Sequence, residues 1–236
     1  MTKKVYLVGA GPGNIEYLTV KAYRLLTSTE VLIYDALVDA ELLELVPEKC
    51  LKIDVGKRGG KPSTPQGEIN NLLVKYGRQN KQVIRLKSGD PFIFGRCIAE
   101  IQALKTAGCE FEIIPGISSA LAAPLLAGIP LTDNVLSRCF TVFTGHELDA
   151  LNWEAISQIE TLVILMGAKN LEDIVYQLLR YGKLPSTPIA IIRWAGTASQ
   201  EIWIGELSNI LTKTQGLSLS PAVIVIGEVV GLRKFL

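Results

Sequence analysis

The chain has 236 residues, a formal net charge of +1, 48% hydrophobic and 20% charged residues. That length holds one large or two small domains around a sizeable core, and the composition excludes a disordered chain. Near-zero net charge gives no global argument for nucleic acid or a membrane surface, so a polyanionic ligand must be met by a local cluster of Lys and Arg.

In chain order, the apolar run Val5-Tyr6-Leu7-Val8 ends in Gly9-Ala10-Gly11-Pro12-Gly13, a strand feeding a glycine-rich loop. A helix is predicted over Tyr17 to Leu26, then a strand over Val31 to Tyr34 that closes on Asp35. Such alternation predicts a parallel sheet flanked by helices. Ala40 to Val46 reads as helical, with Pro47 as its stop. Residues 55 to 66 are rich in glycine, proline and cations, which predicts a mobile loop; Ser63 with Gln66 fits a capping box, and Thr64-Pro65 a cap with proline in the first turn. Ile69, Leu72, Leu73 and Tyr76 continue at helical spacing until Gly77.

In Val83 to Lys87, Ile84 and Leu86 alternate with Val83, Arg85 and Lys87, predicting a strand with one wetter face. Ser88-Gly89-Asp90-Pro91 then forms a turn. The stretch fits a binding edge of an α/β sheet and equally a plain turn with solvated charges. A helix through Ile98, Ile101 and Leu104 to Gly108 and a strand over Phe111 to Ile114 follow. Ile113 to Thr132 is uncharged over a membrane span's length, but Pro115, Gly116, Pro124, Gly128 and Pro130 divide it into a strand end, a short helix and a turn.

Beyond it, Phe140 to Thr144 and Leu162 to Met166 read as strands, and Leu171 to Tyr181 as a helix closed by Gly182. Ile189 to Arg193, Glu201 to Ile204 and Ala222 to Ile226 are further predicted strands, the last two short enough in their connection to run antiparallel. Two α/β domains are expected, residues 1–114 and 115–236, hinged near residues 113 to 120 with a cleft between them.

Cys50, Cys97, Cys109 and Cys139 form no C-x-x-C pair, and His146 is the single histidine, so no metal site is expected. Reduced thiols and an N-terminus without signal-peptide design predict a cytoplasmic protein. Gly9-x-Gly11 with Asp35 at the next strand end suggests a dinucleotide site, although Gly13 comes one residue early and Pro12 stiffens the turn. Asp35 and Lys57, both at strand ends, could act as proton acceptor and donor, or be a cap and a solvated lysine. His146 follows a strand and reads as a structural or a catalytic group. G-x-S-x-G, P-loop and H-E-x-x-H motifs are absent from the sequence.

Several segments together resemble one family, the uroporphyrinogen-III C-methyltransferases of the tetrapyrrole methylase superfamily. They are Val8-Gly9-Ala10-Gly11-Pro12-Gly13, Tyr34-Asp35-Ala36-Leu37-Val38, Val55-Gly56-Lys57-Arg58 and the run from Arg85 to Arg96. Pro115 to Ala120, Gly128-Ile129-Pro130-Leu131-Thr132, Thr144-Gly145-His146, Met166-Gly167 and Ser220-Pro221-Ala222 complete the series in family order. The resemblance implies a two-lobed α/β fold, with mixed sheets flanked by helices and the active site in the cleft between lobes. It implies a homodimer that uses S-adenosylmethionine to methylate uroporphyrinogen III at C2 and C7, giving precorrin-2 on the way to sirohaem and cobalamin. Carried over, cofactor contacts fall on Pro12, Ser88, Gly89, Asp90, Ile93, Ser118, Ser119, Met166 and Gly196, with Asp35 as proton acceptor and Lys57 as proton donor. The substrate's carboxylates need cations, for which Lys57, Arg58, Lys61, Arg85, Lys87, Arg96 and Arg138 are the candidates. Ser88 stands where the family usually has glycine, Cys97 likewise, and Asp133-Asn134 where it commonly has His-Arg. A sister enzyme acting on a later precorrin, a nicotinamide-dependent oxidoreductase and a non-catalytic tetrapyrrole or nucleotide binder are the alternative readings.

Overall fold

Short apolar strands separated by helices give the first part of the chain an all-parallel sheet. Its strands are β1 (Val5–Gly9), β2 (Val31–Tyr34), β3 (Leu51–Asp54), β4 (Val83–Lys87) and β5 (Phe111–Ile114), in the order β3-β2-β4-β1-β5. The computed structural model describes residues 4–56, 64–79 and 81–235. They fall into two compact units, Met1–Ser118 and Ser119–Leu236.

In the first unit, α1 (Val20–Leu26) and α2 (Ala40–Glu44) pack on Val8, Leu32, Ile84 and Leu86. The opposite face, with Val5, Leu7, Val31, Ile33 and Val83, is covered by α3 (Gln66–Arg78) and α4 (Cys97–Thr106). Right-handed crossovers require this split. The chain leaves β1 toward β2 and leaves β4 toward β5, so its direction reverses between neighbouring strands β1 and β4. In open α/β sheets that reversal marks the crevice where ligands bind.

Local chemistry sets the element ends. Thr19 caps α1, its Oγ1 accepting from the Ala22 amide at 3.2 Å, and a 3-10 turn over Ile15–Tyr17 takes the place of the predicted first helical turn. Pro65 occupies the N-cap of α3 without a side-chain cap, one position later than the expected Thr64, and Ser63 lies outside the described residues. The wetter face expected for β4 is corrected: all five of its residues are buried, because the strand is central and α4 covers the side carrying Arg85 and Lys87.

The second unit holds α5 (Ser119–Leu126), β6 (Phe140–Thr144), α6 (Trp153–Gln158), β7 (Thr161–Leu165), α7 (Leu171–Arg180), β8 (Pro188–Arg193), β9 (Glu201–Glu206), α8 (Ile210–Lys213) and β10 (Ala222–Ile226). Its sheet is mixed, in the order β6-β7-β10-β8-β9. Both β9 and β10 run opposite to the other three strands, so they are parallel to each other but separated by β8. One face packs Leu162, Ile164, Ile189, Ile191 and Ile224 with Trp153 of α6 and Leu171, Ile174 and Leu178 of α7. The other packs Val163, Ala190, Ile192, Val223 and Val225 under α5 and the 3-10 segment Glu228–Phe235. Among the described residues, no helix is long and apolar enough to cross a membrane.

Candidate active site

The loops that follow β1 and β4 are joined backbone to backbone at the chain reversal. The Gly11 amide donates to the Gly89 carbonyl at 3.2 Å, and the Gly89 amide to the Gly11 carbonyl at 2.9 Å. Both glycines have positive φ, 71° and 68°, where a side chain is strained. Gly9, at the end of β1, and Gly116, after β5, close the junction. A Cβ on Gly116 would stand 2.3 Å from the Gly89 carbonyl oxygen, and one on Gly9 would stand 2.6 Å from the same atom. Asp90 braces the turn, Oδ1 accepting from the Phe92 amide at 2.9 Å and Oδ2 from the Gly116 amide at 3.2 Å.

Beneath this edge lies a cluster of four charged side chains. Arg85 Nε donates to Glu100 Oε1 at 2.9 Å, Nη1 to the Leu86 carbonyl at 3.2 Å and Nη2 to Asp35 Oδ1 at 2.5 Å. Lys87 Nζ donates to the same Glu100 Oε1 at 2.9 Å. Arg85, Lys87 and Glu100 are 2%, 3% and 0% exposed, whereas the Asp35 side chain is 32% exposed. Two carboxylates meet two cations, so the cluster is formally neutral. Burial works against the charge on Arg85, but Asp35 and Glu100 outweigh it and hold the guanidinium above its ordinary pKa. Asp35 Oδ2 has no hydrogen-bond partner among the described residues, and Glu100 Oε2 is buried and unpartnered.

The site residues predicted from sequence therefore divide. Asp35, Pro12, Ser88, Gly89, Asp90 and Ile93 gather at the carboxyl edge of the first sheet. Ser118 is buried, and it ends the first unit. Arg85 and Lys87, predicted to meet substrate carboxylates, are corrected: each is buried and its charge is committed to Asp35 or Glu100. Arg96 is exposed, with φ 53°, at the N-cap of α4. Lys57, Arg58 and Lys61 lie outside the described residues.

In the second unit, the ends of β6, β7 and β8 share one edge, which carries His146, Met166 and Gly196. Met166 and Trp194 have positive φ, 58° and 50°, a strained conformation that concentrates at ligand sites. Gln200 holds the Gly196 amide at 3.1 Å and donates to the Leu126 carbonyl at 3.2 Å. Asn170 donates to the Gly145 carbonyl at 2.7 Å, fixing the loop that carries His146. Ser119 begins α5. Arg138 is placed at the opposite edge, ahead of β6, where its amide donates to Glu160 Oε2 at 2.6 Å; this separates it from Met166 and Gly196.

Sequence reasoning missed Glu100, Asn170 and Gln200. For Glu100 a signal existed: Cys97, Ile101 and Leu104 mark the inward stripe of α4, and position 100 falls on it.

Comparison with known proteins fits this architecture. A family model described as Tetrapyrrole (Corrin/Porphyrin) Methylases matches residues 4–211. The chain belongs to the tetrapyrrole methylases. It is 58% identical over 235 residues to a uroporphyrinogen-III C-methyltransferase of Synechococcus elongatus, covering 100% of this chain and 97% of that one. It is 42% identical to an S-adenosyl-L-methionine-dependent uroporphyrinogen III methyltransferase of Methanosarcina barkeri, covering 99% and 94%. The crystal structure of uroporphyrin-III C-methyl transferase from Thermus thermophilus complexed with S-adenyl homocysteine superposes with a TM-score of 0.84 at 36% identity, covering 97% and 99%.

The three residues expected from the resemblance to depart from the family pattern each have a local account. Ser88 is exposed, so its side chain does not enter the glycine junction. Cys97 is buried, and burial followed by the Glu100 charge pushes its thiol up to about 11, which leaves it an inert packing group. Asp133 Oδ1 accepts from the Val135 and Leu136 amides, both at 2.9 Å, and so caps its own loop.

Proposed function

We propose that the chain transfers methyl groups from S-adenosylmethionine to C2 and C7 of uroporphyrinogen III, giving precorrin-2. The observation that carries this reading is the state of Asp35. One carboxylate oxygen is held by Arg85, the side chain is 32% exposed at the strand-end edge, and the second oxygen has no partner among the described residues. An oriented carboxylate with one open oxygen suits a proton acceptor.

The donor group fits the charges present. S-adenosylmethionine supplies a methyl activated by a positively charged sulfur. Arg85 and Lys87, the cations of β4, are neutralised by Asp35 and Glu100, so they set no uncompensated positive charge against a sulfonium. Pro12, Ser88, Gly89, Asp90, Ile93 and Ser118 of the first unit are the residues proposed to hold the donor; Ser119, Met166 and Gly196, which belong to the second unit, keep that assignment on the family resemblance alone. The amide and carbonyl of Gly89 are engaged with Gly11, so its part is to leave room, and the exposed Ile93 offers apolar surface. Aligning carbon, methyl and sulfur and excluding water is the main work left to the protein, since the methyl is already activated. Asp35 Oδ2 then takes a proton at the substrate. Lys57 as proton donor, and Arg58, Lys61 and Arg96 against substrate carboxylates, complete the assignment on the family resemblance.

The oxidoreductase reading loses its support. A dinucleotide loop opens directly onto a helix N-terminus that receives the pyrophosphate. Here α1 begins at Val20, well after Gly11, with a 3-10 turn over Ile15–Tyr17 between them.

An anaerobic assay with uroporphyrinogen III and methyl-labelled donor tests the proposal: transfer of two methyl groups is expected, and unmodified substrate would refute it. Calorimetry should show S-adenosylhomocysteine binding with no heat from NADH. Action as a homodimer in the cytoplasm, where the four free thiols stay reduced, belongs to the same proposal and is checked by sedimentation.

A further inference from the structure

Arg85 and Asp35 already neutralise one another, so the added Lys87–Glu100 pair brings no net charge to the cluster. Buried ion pairs are costly to desolvate, and replacing one with apolar groups of similar size is often neutral or stabilising. Stability therefore does not explain why a fully buried glutamate sits on the apolar stripe of α4. What Glu100 adds is an acceptor at one defined point. Oε1 takes the Nε proton of Arg85 at 2.9 Å, while the Leu86 carbonyl takes one from Nη1 at 3.2 Å. A guanidinium is planar, so two fixed nitrogens determine the direction of the third. The third is Nη2, which donates to Asp35 Oδ1.

We infer that Glu100 is a positioning residue for methyl transfer: by fixing the plane of Arg85 it orients the Asp35 carboxylate and leaves Oδ2 aimed at the substrate. Lys87 balances its charge. The inference rests on the reading of Asp35 as proton acceptor and extends it to a residue that touches neither substrate nor donor.

Two paired substitutions and one control test it. Lys87→Met with Glu100→Met removes the pair, keeps the cluster neutral and deletes the acceptor at Arg85 Nε. Its melting temperature should equal or exceed that of the parent, yet turnover should fall about 10- to 100-fold, the scale of a misplaced catalytic group, with KM for the methyl donor unchanged. Lys87→Met with Glu100→Gln restores the acceptor and is expected within about threefold of the parent turnover, because a neutral carbonyl still holds Nε. Its buried amide N–H group lowers its stability, so activity and stability should rank the two variants in opposite order. If the Met/Met variant turns over as fast as the parent while Asp35→Asn is slow, the positioning role is wrong and the Asp35 reading survives. Should Asp35→Asn itself match the parent, the proton-acceptor reading is overturned and the role of Glu100 falls with it.

Discussion

The two units treat buried polarity differently. The first buries Arg85, Lys87 and Glu100 in an ionic cluster beside its working edge, whereas the buried polar residues of the second are the hydroxyl side chains of Ser137, Ser157, Thr161, Thr187 and Thr214. The hydroxyls of Ser137, Ser157, Thr161 and Thr214 serve the backbone or one another; Thr214 donates to the Ile210 carbonyl at 2.8 Å and Thr161 to Ser137 Oγ at 2.7 Å. Both units nevertheless join their strand-end loops in the same way, through glycines in backbone contact. A Cβ on Gly145 would stand 2.5 Å from the Gly167 Cα, matching the Gly9, Gly89 and Gly116 junction. Under the proposed function, acid–base work falls to the first unit, while the second contributes strained backbone at Met166 and Trp194.

Removal of the proton acceptor is the sharpest way to break that contrast. Asp35→Ala should lower turnover by about 10²- to 10⁴-fold, the range for a general base, with donor affinity by calorimetry little changed. His146→Ala, on the second unit's edge, should stay within about threefold, since no proton transfer is assigned there. A larger loss at His146 than at Asp35 would reverse the assignment.

Next in size is the core of the second unit. Ile224 is fully buried at the centre of β10, so Ile224→Ala should cost about 2–5 kcal/mol by urea unfolding through lost burial and the cavity left behind. At the junction of the first unit, Gly116→Ala should cost about 3 kcal/mol, because its Cβ meets backbone that has no free rotation to escape. The comparison substitution Gly231→Ala, with nothing within 4 Å of its Cβ, should fall within about 0.5 kcal/mol.

The smallest expected effect is electrostatic and belongs to the second unit's far edge. Amides of Arg138 and Cys139 hold the Glu160 carboxyl below its ordinary range, and those of Leu136 and Val135 do the same for Asp133. A carboxyl depressed in the folded chain contributes stability above its unfolded pKa, and that contribution is lost as pH falls through the folded value. Glu160→Gln should therefore flatten the acid-side decline in melting temperature slightly. Because Glu160 is exposed, a large flattening would show that the amides bind it more tightly than a surface carboxylate allows.

Much of this fold was legible because strand patterns and punctuation agree: β5, β6 and β10 fall where their apolar runs predict, and Pro47 and Gly182 stand just beyond the helices they end. The edge carrying Asp35, Gly89 and Asp90 was legible too, since strand-end loops with turn residues have few other uses in a parallel sheet. The misreading of Arg85 and Lys87 has a definite cause. Period-two alternation reports that one face of β4 is polar, but it does not say what lies against that face. The answer sits on α4 in Glu100, a residue whose inward direction only the packed helix reveals. Arg138 was chosen for its charge alone, although it precedes the strand predicted over Phe140 to Thr144 and so flanks the end away from Met166 and Gly196.

The reciprocal bonds between Gly11 and Gly89 bear on what a ligand must do on arrival. Ordering a loop at the moment of binding costs roughly 1–2 kcal/mol per residue in backbone entropy. Here the reciprocal bonds complete that ordering during folding, so under the proposed function the two turns would meet an incoming molecule as a preset rim. Their amides should exchange with deuterated solvent slowly in the ligand-free protein, with little added protection once the site is filled.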